Sequence, residues 1–168
     1  KCNIQVKYKL FKSYAMSLYG SQLWDLDNKD MSSFYVAWRK CIRTLLSLPA
    51  RTHNNLLPYI CDDLPIENQI EKRILKFFAN CSRSCNKLVS LCAQRITLGC
   101  SSSMNNSLSH ICAKYKIDRY ELNNLPVSTL MNRVNCFHTM EEDKVTISNQ
   151  IKDFISYREQ CDCTDVAL

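Results

Sequence analysis

The chain has 168 residues, only two of them glycine (Gly20 and Gly99) and four proline, with 46% apolar content and a formal net charge of +6. Dinucleotide-binding turns, P-loops and two-residue hairpins need glycine where φ is positive or where backbone approaches phosphate, so none of those signatures can be assembled. The scarcity of turn residues argues against an all-β sandwich, and the length fits one or two compact helical units.

Apolar residues Ile4, Tyr8, Phe11, Ala15, Leu18 and Tyr19 recur every three or four positions, which predicts a first helix over residues 4–24. Lys9 falls on its opposite side and Lys12 on its flank. The polar stretch 25–30 breaks the pattern, with Asp30 as the expected N-cap of the next helix. That second helix, 31–48, carries the stripe Met31, Phe34, Tyr35, Trp38, Cys41, Ile42, Leu45 and Leu48, and Pro49 ends it. At about 100° per residue, Arg39, Lys40 and Arg43 lie within about 100° of arc on the other side. Residues 50–65 predict a bend with a short helical piece around 55–60. Pro65 suits a first helical position, and Ile66, Ile70, Ile74, Phe77, Phe78 and Cys81 define a third long helix. Its acids Asp62, Asp63 and Glu67 come early and Lys72, Arg73 and Lys76 late, as the helix dipole favours. A fourth helix over 86–98 should stop at Gly99. Residues 100–107 read as a low-complexity loop, and a short helix over 108–116 turns Ile111, Cys112 and Tyr115 inward. Two weaker helical patterns follow, near 127–137 and 144–160, before a frayed end at 161–165. The expected fold is all-α, an irregular bundle of about six to seven helices that can divide into two sub-bundles. Its expected parts are a helical pair over 1–50, a helical region over 51–120 and an acidic helical tail over 121–168.

Eleven cysteines at irregular spacing, an odd count, and no opening signal peptide point to a reducing intracellular compartment with free, largely buried thiols. No apolar run approaches the roughly 20 residues of a membrane span. The chain opens at Lys1 and reads as a piece of something longer. Charge is unevenly distributed: residues 1–60 hold nine basic and three acidic residues, 61–120 nine and five, and 121–168 four and eight. A basic body of this kind favours a polyanionic partner.

Candidate chemistry is sparse. Ile60-Cys61-Asp62-Asp63 carries paired aspartates of the sort that hold catalytic Mg²⁺. Pro58 and Pro65 flank them, no alternating strand surrounds them, and they read instead as helix-starting acids. Cys81, Cys85, Cys92, Cys100, His110 and Cys112 do not form two close ligand pairs, so no metal and no cofactor is expected. His53, His110 and His138 lie in no nucleophile motif, and no catalytic residue is expected. The basic set Lys9, Lys12, Arg39, Lys40, Arg43, Arg51 and His53 supplies spaced cations suited to phosphate. A solvated surface without a nucleic-acid partner is the alternative.

Several blocks share an order and spacing with a known family. They are Leu10-Phe11-Lys12-Ser13-Tyr14, Leu18-Tyr19-Gly20-Ser21-Gln22-Leu23-Trp24, Ala37-Trp38-Arg39-Lys40-Cys41-Ile42-Arg43, and Leu48-Pro49-Ala50-Arg51-Thr52-His53-Asn54-Asn55-Leu56-Leu57. With Lys72-Arg73-Ile74-Leu75-Lys76-Phe77-Phe78 and Asn106-Ser107-Leu108-Ser109-His110-Ile111, they cover about residues 7–120. The chain thereby resembles the C-terminal part of the open-reading-frame-2 protein of LINE-type (non-LTR) retrotransposons, which joins an endonuclease to a reverse transcriptase. The resemblance implies a helical thumb over about 1–50 and a post-thumb region after it. It also implies a polymerase palm and fingers upstream in the parent chain, and RNA and DNA as partners in the form of a primer–template duplex, handled in cytoplasm and nucleus. This piece would hold the duplex without catalysing anything itself. The Cys-Cys-His-Cys knuckle that some relatives carry near the C-terminus has no counterpart here. A structural or protein-interaction module without nucleic-acid contact is the competing expectation.

Overall fold

The computed structural model describes the backbone of residues 3–140 and the side-chain surroundings of residues 3–136. The expected helix over 144–160 and the 161–165 end lie outside the described residues. Among those residues the fold is an all-α irregular bundle of eight helices with no strand.

Helix α1 spans Ile4–Ala15 and is capped by the Asn3 side chain, which accepts from the Gln5 amide. The expected continuation to Trp24 does not occur. Arg73 donates to the Met16 carbonyl at 2.7 Å, a cation at a helix C-terminus where unpaired carbonyls gather. Gly20 then takes a left-handed turn at φ 77°, which a residue with a Cβ adopts only at a cost. With the helical phase lost, Met16 is buried while Tyr19 stands 95% exposed.

Helix α2 spans Lys29–Leu45, and its cap is Asn28 rather than Asp30, which lies in the first turn. Met31 and Ile42 are its buried residues; Cys41, at the edge of the stripe, is exposed. A 3-10 turn over Asn54–Leu56 leads into the short α3, Leu57–Cys61. Asp62 closes α3 in a left-handed conformation at φ 51°, so it is a helix-ending residue, not a helix-starting one. Pro65 occupies the cap position just before α4, Ile66–Ser82.

Helix α4 is the axis of the bundle. Ile70, Ile74, Leu75, Phe78 and Ala79 along it are at most 1% exposed. Around it pack α5 (Lys87–Thr97), α6 (Ser103–Tyr115), α7 (Arg119–Asn124) and α8 (Val127–Met140). They bring Ala93, Leu108, Ile111, Leu122, Leu130 and Val134 to the same core. Gly99 follows α5 at φ 90°, as its stop position requires. Most of the expected loop over 100–107 is helical, because Ser102 caps α6 by accepting from the Asn105 amide. Buried Ser107 then donates to the Trp24 carbonyl at 2.8 Å and accepts from the Leu26 amide at 3.0 Å, fastening the 24–26 stretch to α6.

A second, smaller core joins Tyr8, Ile42, Leu46, Leu57, Ile60 and Cys61. Trp38 packs against both cores, with its ring 5.1 Å from that of Phe11. The thiols are less buried than expected. Cys61 and Cys112 are buried, but Cys41, Cys85, Cys92, Cys100 and Cys136 are exposed. All eight described cysteines are free.

Candidate nucleic-acid interface

The seven expected cations separate into two groups. Lys12 pairs with the Asp63 carboxylate, whose Oδ2 also accepts from Tyr8 Oη at 2.9 Å. Asp63 Oδ1 accepts from the Leu64 amide at 2.9 Å. This carboxylate therefore joins α1 to the α3–α4 turn. Arg39 pairs with Glu67 of α4. A cation whose charge is met by a carboxylate inside the fold offers little net attraction to phosphate.

Arg43 does something different. Its Nε and Nη2 donate to the Thr52 carbonyl at 3.1 and 2.9 Å, and Nη2 also reaches Asn54 Oδ1. Thr52 Oγ1 in turn donates to the Pro49 carbonyl at 2.8 Å. The forked guanidinium thus fastens the 49–54 turn to the last turn of α2. Arg51 and His53, on either side of Thr52, are exposed. Lys40, three residues before Arg43 and so one helical turn away, is exposed as well. Lys40, Arg51 and His53 therefore border one structural unit, the C-terminal end of α2 with its following turn.

Lys9 is exposed but is not part of that unit. Phe11 and Trp38 meet where α1 crosses α2. Lys9 and Lys40 each sit two positions, about 200° of arc, from those rings. The two lysines point away from the seam on their own helices.

Beneath the turn lies a cavity of about 250 Å³ between α1, α2, α3 and the start of α4. Tyr8, Trp38, Ile42, Leu57 and Cys61 contribute to its walls, with Arg39, Glu67, Asn54 and Asn55 among its polar lining. Burial pushes the Cys61 thiol up to about 12, with the Asp63 carboxylate adding to the effect and Lys12 opposing it. Burial, then Asp63, also raises Tyr8. Both groups are uncharged at ordinary pH, and among the described residues the ions on the lining are the Arg39–Glu67 pair. The residues missed by sequence reasoning here are Asn54 and Asn55; the signal available was two adjacent carboxamides directly after His53.

A second polar cluster lies between α4 and α6. Glu71, whose side chain is 5% exposed, accepts from Lys114 Nζ at 2.9 Å through both oxygens and from Tyr115 Oη at 2.5 Å. Lys114 Nζ also donates to Asn68 Oδ1 at 3.1 Å. The buried Glu71 carboxylate is well furnished with hydrogen bonds, the condition under which an interior charge is tolerated. Among the described residues, no three His, Cys, Asp or Glu side chains gather as metal ligands would, and no helix is long and apolar enough to cross a membrane.

No family model, curated protein or solved structure matches this chain.

Proposed function

We propose that this chain is a non-catalytic helical holding element of a retrotransposon RNA-directed DNA polymerase, bearing on the RNA/DNA primer–template duplex. Lys40, Arg51 and His53 meet phosphates, and Arg43 acts as the positioning residue that keeps their turn in place. The observation that carries this reading is the Arg43 clamp on Thr52 and Asn54. It ties the Trp-Arg-Lys block to the Leu-Pro-x-Arg-Thr-His block, the two most specific parts of the family resemblance. Contacts of this kind fix the register of a duplex without reading its sequence. Palm and fingers of a longer parent chain would supply the polymerase chemistry, in a reducing cytoplasm and nucleus.

The test is a salt titration of the 168-residue chain against a labelled RNA–DNA hybrid. Log K should fall linearly with log salt, and Lys40→Ala and Arg51→Ala should each reduce that slope by about 1. Arg43→Ala should weaken binding by disordering the turn. Absence of binding at low salt overturns the proposal.

The competing reading, a scaffold touching only other parts of a longer protein, draws on a different observation. Helix α5 and its end expose Leu88 (73%), Leu91 (54%) and Leu98 (80%). That reading expects no hybrid binding at any salt concentration.

A further inference from the structure

The cavity under the 49–54 turn is large enough for a ring. A void of about 150 Å³ admits benzene, and this pocket, open to solvent where Asn54 and Asn55 are exposed, is about 250 Å³. Its walls are chemically mixed: the Trp38 indole with aliphatic Ile42 and Leu57, and the carboxamides of Asn54 and Asn55. The Asn55 side chain has no hydrogen-bond partner among the described residues, and Asn54 engages Arg43 through Oδ1 alone. Because Arg39 is neutralised by Glu67, the cavity does not select an anion. Its chemistry suits a flat, uncharged heteroaromatic ring with hydrogen-bonding edges, stacked on an aromatic or guanidinium face and read by a carboxamide. The cations that suit phosphate, Arg51 and His53, lie outside on the turn that leads directly to Asn54 and Asn55.

We propose that this cavity takes a single unstacked nucleobase at the end of a strand whose phosphates lie on the Arg51–His53 turn. The inference rests on the holding function above and adds a subsite to it. Trp38 and the aliphatic walls supply contact area, and Asn55 supplies the hydrogen bonds. A duplex alone, with every base stacked, leaves the cavity empty.

Three hybrids of identical duplex length test this: one blunt, one with a single unpaired adenine nucleotide, and one with an abasic nucleotide at that position. The adenine overhang should bind about a hundredfold more tightly than the abasic one, about tenfold from one base–aromatic stack and about tenfold from the edge contacts. The adenine overhang alone should change tryptophan emission. Asn55→Ala should shrink the base-dependent gain to about tenfold, since stacking remains while the edge contacts are lost. If the abasic and adenine overhangs bind equally, the base subsite is overturned while the holding function stands. If no hybrid binds at low salt, the holding function fails, and a direct titration with adenosine decides the cavity by itself. Saturable change in tryptophan emission then supports a base site, and no change overturns it.

Discussion

The Arg39 guanidinium of α2 is paired with the Glu67 carboxylate of α4, with side-chain exposures of only 25% and 24%. The pair stands where the smaller core meets the larger one, so its first effect is on how α2 is held to the bundle axis. Arg39→Ala should lower stability by about 1–2 kcal/mol, between the values for exposed and fully buried pairs. Lys40→Ala, one residue away on the exposed side, should stay within about 0.5 kcal/mol. Urea denaturation of the two variants checks the contrast, and equal effects would contradict it.

Glu71 should be far more sensitive. Replacing its partner Lys114 by alanine leaves the Glu71 carboxylate, only 5% exposed, without its ammonium partner. The expected loss is about 3 kcal/mol or more, the usual consequence of orphaning a buried charge. The double replacement Glu71→Leu with Lys114→Met removes both charges and should recover much of that loss. A double-mutant cycle by denaturation measures the coupling.

Thiol reactivity should sort by burial. At pH 8, Cys41, Cys85, Cys92, Cys100 and Cys136 should alkylate readily in the folded chain, while Cys61 and Cys112 resist. Burial pushes these two thiols up to about 12 and about 11 from an ordinary value of 9.0. In the unfolded chain they ionise first, so their contribution to stability is complete below pH 9 and is lost as pH rises toward the folded values. Peptide mapping after pulsed alkylation, with denaturation at pH 8 and pH 10.5, tests both statements.

At the acidic end, Glu121 responds in the opposite sense. The hydrogen bond that it accepts from Arg133 Nη1, at 2.5 Å, lowers its carboxyl below the ordinary value of 4.5. The folded chain therefore holds the charged form more strongly than the unfolded one. This link between α7 and α8 contributes above the unfolded value and is lost as pH falls through the lower folded one. Amide protection in α7, measured relative to intrinsic exchange rates, should fall between pH 5 and pH 3, and Arg133→Ala should weaken that pH dependence while leaving the part owed to the Asp118 amide.

Much of the fold was legible because helical periodicity is a local signal. The stripe from Met31 to Leu45, the run from Ile66 to Phe78 and the Gly99 stop all appear where spacing puts them. The short helix α7 also carries a local signature: Asp118 and Glu121 form a capping box across three residues. The end of α1 was not readable. Its pattern continues past Ala15, and the Arg73 side chain that takes the Met16 carbonyl comes from 57 residues further on.

Sequence alone determined the helical class, the main amphipathic faces and an inventory of cations near the second helix. Which of those cations remain available was decided only by the tertiary structure. Lys12, Arg39 and Arg43 look like Lys9, Lys40 and Arg51 in one dimension, since a charged residue off the apolar stripe is the same pattern in each case. Packing brings Asp63, Glu67 and the Thr52 carbonyl to the first three. A carboxylate or carbonyl within hydrogen-bond reach outweighs a distant polyanion, because Coulomb attraction is strongest at contact and is screened by water and salt beyond it. Partners set by chain folding rather than by spacing are what a helical wheel leaves out.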